Sequence, residues 1–256
     1  MEPVDAIQTK RRFPHLDSLV SDEALRRAAR PIRPDAWDLC DAFANPLPLA
    51  AAMLAALDDN LRALSAVGAI RARNALRDRL LNGEQLLNTL SELALARHLL
   101  QTGWQVALDY KFFATRDVDI WCKLHDIERL VEVVNMAIPA AQRAEPLEDT
   151  PGSCARSTSF PDENDPLVDK VVAKFNDKFG PALSQGWTGE IWVAVDYTKN
   201  HEQDVRQFVR DLFFPDWPEA VVQFAARRCP QLKGVCFYSH LPQSIVPRAV
   251  HWNGVE

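Results

Sequence analysis

The stretch Asp117-Val118-Asp119-Ile120-Trp121-Cys122 is rich in β-branched and aromatic residues, which favour strands. A second such stretch, 130-LVEVVN-135, follows after a short charged turn. Side chains alternate along a strand, so Asp117 and Asp119 share one face and Glu132 shares a face with Val134. Together with the run at 104–113, these stretches predict an antiparallel meander of three strands at 104–113, 118–123 and 130–136.

The segments around the meander predict an α/β fold. A helix is expected at 84–101, closed by Thr102-Gly103, and another at 167–179 with an apolar face of valine and phenylalanine. Beyond them we expect a central strand at 190–196, helices at 202–214 and 217–228, and a last strand at 232–239. This order of elements predicts a mixed sheet core flanked by helices.

The chain divides by composition into two parts. Residues 1–83 are dominated by Ala, Leu and Arg with scattered prolines, which predicts an N-terminal helical region. Residues 84–256 form the predicted α/β domain. Within it, five prolines among polar residues at 139–166 predict a mobile loop.

Composition excludes several classes of protein. The chain has 256 residues, 47% of them hydrophobic and 25% charged, as in globular domains, and it lacks an apolar run long enough to cross a membrane. Its five cysteines are widely spaced and form no C-x-x-C pair, so we expect reduced thiols and a cytoplasmic location. The net charge of −6 argues against tight non-specific binding to duplex DNA.

Acidic side chains on the predicted meander suggest metal chemistry. Asp119 and Glu132 lie on strands predicted to be neighbours, and a carboxylate within an apolar run is costly to bury unless it is paired, protonated or bound to a cation. Glu92 shares a helical face with Leu95 and Leu99, so it too is expected to point inward. Carboxylates of this kind hold Mg²⁺ together with water and phosphate oxygens.

With these residues, the sequence resembles the PD-(D/E)XK nuclease superfamily, whose fold is restriction-endonuclease-like. 91-SELALARHLLQTGW-104 is similar to the first helix of that fold, 117-DVDIW-121 to its Asp strand and 130-LVEVVN-135 to its third strand. The resemblance implies an Mg²⁺-dependent nuclease, with Mn²⁺ as an alternative metal and nucleic acid as the substrate. It implies Glu92, Asp119 and Glu132 as site residues, with Asp119 and Glu132 as metal ligands.

One position departs from the superfamily pattern. The lysine expected two residues after Glu132 is Val134, which cannot position water or offset charge at a phosphate. A lysine from elsewhere would have to replace it, and the candidates are Lys111 on the preceding strand and Lys174 on the following helix. Lys174 belongs to a stripe with Lys170 and Lys178, which fits either a solvated helix face or a contact with backbone phosphates.

Two other interpretations stay open. In the first, the chain is a catalytically inactive nuclease fold that acts as a binding or assembly module, and the helical region docks a protein partner or a second copy. Alternatively, Asp119 and Glu132 are ordinary structural acids paired with Arg116 and Arg129. The tryptophans are interpreted as packing residues, although base stacking is the alternative.

Overall fold

A computed structural model describes residues 5–28, 39–44, 48–113, 116–136, 163–186, 189–195, 216–232, 234–241 and 244–251. The loop predicted at 139–166 lies almost entirely outside these residues, and the helix predicted at 202–214 lies wholly outside them. The chain forms two compact units. Unit 1 comprises Met1–Val131 and His240–Ile245, and unit 2 comprises Glu132–Ser239 and Val246–Glu256. The division predicted after residue 83 stays a prediction.

Unit 1 begins with the helical region that the sequence predicts. Its described helices are α1 (Ala6–Lys10), α2 (Pro14–Leu19), α3 (Asp22–Ala28), α4 (Leu39–Ala44), α5 (Pro48–Ala66), α6 (Arg73–Leu80) and α7 (Gly83–Gln101). The residue before α2 is Phe13, which provides no side-chain cap. Asp58 of α5 replaces it: its carboxylate accepts hydrogen bonds from the backbone N–H groups of His15 and Leu16, both at 2.8 Å. These two hydrogen bonds attach the start of α2 to α5.

The predicted antiparallel meander is present in unit 1. Its strands are β1 (Gln105–Phe113), β2 (Arg116–Leu124) and β3 (Ile127–Met136). Leu108 pairs with Ile120, and Cys122 pairs with Arg129. β2 and β3 extend further toward the turn that joins them than predicted. That turn needs only two residues, and His125 takes the left-handed backbone conformation there, with φ 53°. β3 passes at Val131 from unit 1 into unit 2.

Unit 2 continues with helices and strands in alternation. Its elements are α8 (Pro166–Lys178), a 3₁₀ helix (Gly180–Gln185), β4 (Glu190–Val195), α9 (Asp216–Arg228), β5 (Gly234–Leu241) and β6 (Ser244–His251). β4 lies beside β3 and runs parallel to β5, so the sheet is mixed as predicted. β5 is not the last strand, because β6 follows it at the edge of the sheet. Pro247 in β6 obscures the strand pattern in the sequence, and an edge strand tolerates it.

The apolar faces predicted for helices α7 and α8 are confirmed. Val168, Val171, Val172, Phe175 and Phe179 are all buried on α8 or directly after it, and the Asp165 carboxylate caps its first turn through the Leu167 N–H at 2.7 Å. On α7, Leu95, Ala96 and Leu99 are buried beside Glu92.

Two further properties of the described residues concern the expectations from composition. The cysteines of the described part are free thiols: Cys40, Cys122, Cys229 and Cys236. None of the described helices is long and apolar enough to span a bilayer.

Candidate functional site

Glu132 of β3 is a buried carboxylate held by two lysines of α8. Its side chain is 0% exposed, and its Oε1 lies 2.7 Å from Lys174 Nζ and 3.3 Å from Lys178 Nζ. A carboxylate loses its hydration when it is buried, and only close cations or hydrogen-bond donors compensate for this loss. The two ammonium groups therefore explain how Glu132 is accommodated in the centre of an apolar strand.

The spacing of lysines along α8 produces this arrangement. Residues four apart lie one above the other on a helix, so Lys174 and Lys178 reach the same oxygen. One turn earlier, Lys170 Nζ donates to the backbone carbonyl of Asn135 at 3.0 Å. Later residues of the helix thus contact earlier residues of the strand, which shows that α8 runs antiparallel to this part of β3.

These contacts bear on the candidate replacement lysines. Lys174 was one of two candidates, and it lies in direct contact with Glu132. Lys111, the other candidate, is exposed on β1 in unit 1. The lysine stripe is not simply a solvated helix face, since all three lysines contact β3. Lys178 was not proposed as a partner of Glu132, although its four-residue spacing from Lys174 was the available signal.

Glu92 of α7 lies in a second charged cluster, within unit 1. Its Oε2 lies 2.7 Å from Arg79 Nη1, and Arg79 Nη2 lies 3.3 Å from Asp109 Oδ2. The Glu92 side chain is 8% exposed, as its position on the inward face of the helix predicts. Arg79 and Asp109 were not identified from the sequence, because neither belongs to a recognisable motif.

Asp109 lies at the same level of the sheet as Asp119 on the neighbouring strand. Asp109 on β1 and Asp119 on β2 occupy the level between the paired residues Leu108↔Ile120 and Tyr110↔Val118. Asp109 has φ 50°, in the left-handed region that few residues other than glycine adopt. Aspartate tolerates this conformation better than most side chains do. The strained backbone conformation therefore occurs at the residue whose carboxylate contacts Arg79.

Burial and charge shift two pKa values in this cluster. The pKa of Glu92 is raised to about 8, mainly because the carboxyl group is buried and also because Asp119 is negatively charged, while Arg79 acts to lower it. Burial acts to lower the pKa of Arg79, but the charges of Glu92, Asp109 and Asp119 outweigh it, and the pKa is raised. Near neutral pH, Glu92 is thus largely protonated beside a guanidinium that keeps its charge.

The expected metal ligands do not form a recognisable cation site within the described part of the chain. Asp119 belongs to unit 1 and Glu132 to unit 2. No group of three or more His, Cys, Asp or Glu side chains among the described residues could hold a metal ion. In each unit the buried acid is instead bound by a cation of the protein, Arg79 at Glu92 and Lys174 at Glu132. Metal ligation by Asp119 and Glu132 stays a prediction, as does the role of Glu92.

The described contacts of Glu132 differ from the alternative pairing with arginines, whereas the pairing of Asp119 with an arginine stays a prediction. The described cations at Glu132 are lysines, whereas the Arg129 guanidinium lies over the Trp104 ring, 4.9 Å from its centroid. Trp192 is buried in unit 2, which confirms its packing role, but Trp104 and Trp121 are only half-buried.

Comparison with known proteins adds no family or homologue to this description. No family model, no curated protein and no solved structure matches the chain.

Proposed function

We propose that this protein hydrolyses phosphodiester bonds in nucleic acid, on a restriction-endonuclease-like fold, with Glu132 and Lys174 at the reacting phosphate. The observation that carries the proposal is the 2.7 Å contact between Lys174 Nζ and Glu132 Oε1. It supplies, from a neighbouring helix, the lysine that is absent at position 134 of the third strand.

The Glu132–Lys174 pair has the properties that this chemistry needs. The buried carboxylate favours the charged form of the ammonium group and fixes its position. An ammonium group has three donors, so it can hold a carboxylate and a water or phosphate oxygen at the same time. The Lys174 side chain is 35% exposed, so a phosphate can approach it from solvent. Lys178 adds a second positive charge at the same carboxylate, which favours an anionic substrate.

Mg²⁺ belongs to the proposal as an expectation from the resemblance. It would offset negative charge that develops on the phosphate, with Asp119 and Glu132 as the expected ligands. Lys174 and Lys178 occupy one oxygen of Glu132, so a metal ion would have to share this carboxylate with two ammonium groups. The dependence on metal is therefore measured separately from the dependence on Glu132.

A cleavage assay tests the proposal. Labelled single-stranded and duplex DNA and RNA are incubated with the protein in Mg²⁺, in Mn²⁺ and in EDTA. Glu132→Gln keeps the shape of the side chain but removes its charge, and we expect it to lower the rate by about 10²-fold or more. Equal rates for the wild type and Glu132→Gln, or no cleavage of any substrate by the wild type, would reject the hydrolase proposal.

A specific observation favours the second candidate, an inactive nuclease fold that acts as a binding module. Arg79 holds Glu92, the residue that corresponds to the helix acid of the resemblance, and Glu92 is largely protonated near neutral pH. In this alternative the acids are structural, and nucleic acid is bound without being cleaved. Binding in EDTA combined with no turnover in Mg²⁺ or Mn²⁺ would identify it.

A further inference from the structure

Unit 1 carries a stack of an arginine and two aromatic rings on the β1–β2 pair. The Tyr110 and Trp121 rings lie 5.3 Å apart between centroids and only 23° from parallel. The guanidinium carbon of Arg71 lies over the Tyr110 ring, 5.4 Å from its centroid. We call these three residues the Arg71 stack. Arg71 is exposed and both rings are half-exposed, so the stack is accessible to solvent.

The backbone positions these rings. Leu108 N donates to Ala69 O at 3.0 Å, which attaches the segment that carries Arg71 to β1. The left-handed residue Asp109 directly precedes Tyr110 and interrupts the regular alternation of side chains along β1. The Trp121 indole N–H donates to the exposed carboxylate of Glu128, which fixes the orientation of the ring.

The chain segment that carries Arg71 is positively charged, although the protein as a whole is acidic. Residues 70–80 contain four arginines and one aspartate, whereas the whole chain has a net charge of −6. Arg71, Arg73 and Lys111 are exposed. Aromatic rings interleaved with cations bind single-stranded nucleic acids, because bases stack on the rings and the cations attract phosphates.

We propose that the Arg71 stack binds the bases of a single-stranded nucleic acid. Bases in a duplex are paired and stacked on each other, so their flat faces do not reach the rings of a protein surface without being flipped out. The proposal rests on the hydrolase function only in treating this strand as the substrate, since the binding itself requires no reaction.

The same meander offers a matched control on its other face. Trp104 is also half-exposed, with Arg129 lying over its ring. Arg129 pairs with Cys122, which points to the opposite face of β2 from its neighbour Trp121. Trp104→Leu thus removes an equivalent arginine-covered ring without touching the Arg71 stack.

Fluorescence anisotropy with a labelled 12-nucleotide single strand, in EDTA, tests the proposal. Stacking contributes about 1–3 kcal/mol per base, which corresponds to roughly 5- to 150-fold in Kd. We expect Trp121→Leu and Tyr110→Leu to weaken binding by at least about 5-fold. We expect Trp121→Phe to retain most of it, since a ring remains, and Trp104→Leu to change it by less than about 2-fold.

Arg71→Met at its exposed position tests the stack without disturbing the core, and circular dichroism verifies the fold of each variant. Equal weakening by Trp104→Leu and Trp121→Leu would overturn the proposal. Equal affinity for the matching duplex, or binding unchanged by Arg71→Met and Trp121→Leu, would also overturn it.

Failure of this inference is distinguishable from failure of the hydrolase proposal. Stack-dependent binding by a wild type that cleaves nothing would reject hydrolysis and keep the binding surface. Cleavage that depends on Glu132, with binding that does not depend on Trp121, would keep hydrolysis and reject the binding surface.

Discussion

Replacing Glu92 by glutamine should change how the stability of the protein depends on pH. Glutamine has nearly the same shape, and its amide oxygen can still accept a hydrogen bond from Arg79, which lies 2.7 Å from the carboxylate in the wild type. The substitution removes an ionisable group whose pKa is raised to about 8, mainly by burial. It therefore isolates the free energy that is required to bury this acid.

The magnitude follows from the two pKa values. Glu92 has an ordinary value of 4.5 in the unfolded chain and about 8 in the folded protein. Because the folded pKa is the higher one, the folded state binds the proton more tightly. The contribution of Glu92 to stability is thus most favourable below pH 4.5, falls as the pH rises from 4.5 to about 8, and is level above that range. At 1.36 kcal/mol per pKa unit, Glu92 lowers the free energy of unfolding by about 5 kcal/mol across it.

Urea unfolding of the wild type and Glu92→Gln at pH 5 and pH 8.5 measures this effect. We expect the stability of Glu92→Gln relative to the wild type to increase by about 4 kcal/mol between the two pH values. Asp59→Asn, at an exposed ion pair with Arg62, is the control and should show almost no such difference. A constant difference between Glu92→Gln and the wild type would refute the raised pKa and the burial argument behind it.

Three further predictions concern how the units are built, and each is measured by the urea midpoint of unfolding. Asp58→Ala should lower the free energy of unfolding by about 1 kcal/mol, because α2 loses its cap, and an unchanged midpoint would contradict the capping role. Gly189→Ala should lower it by about 1–3 kcal/mol, since a Cβ there would lie 2.0 Å from the Phe179 ring. Gly180→Ala, where nothing lies within 4 Å, should be close to neutral, and equal effects of the two glycine substitutions would exclude a steric cause. Asp109→Ala should be about 1 kcal/mol less stable than Asp109→Asn, which tolerates the left-handed backbone better, and the reverse order would contradict the strain argument.

The secondary structure of the described residues was largely predictable, because hydrophobic periodicity determines it. The repeats at three and four residues identified α7 and α8, and the β-branched and aromatic runs identified β1 to β5. β6 was not identified, because Pro247 lacks the N–H that a strand pattern presumes. The ends of β2 and β3 were misplaced, because the conformation of the turn at His125 decides how long they are.

The candidate site was predictable only where a chemical requirement limited the choices. A carboxylate in the middle of β3 needs a cation, and Lys174 was one of the two candidate lysines. Arg79 and Asp109 were not identified, because their contact joins residues 30 positions apart and depends on a left-handed residue inside a strand. No local pattern encodes such a contact, since it arises from the packing of α6 against the rest of unit 1.

If Lys174 acts with Glu132 on a phosphodiester, two lysine variants of the same helix must differ in their cleavage rates. The cleavage rate of Lys174→Met is compared with that of Lys170→Met, which changes a lysine of the same helix that donates to the backbone carbonyl of Asn135. We expect Lys174→Met to lose about 10²-fold or more in kcat, while Lys170→Met stays within a few-fold of the wild type. Equal losses in the two variants, or full activity of Lys174→Met, would contradict this role of Lys174.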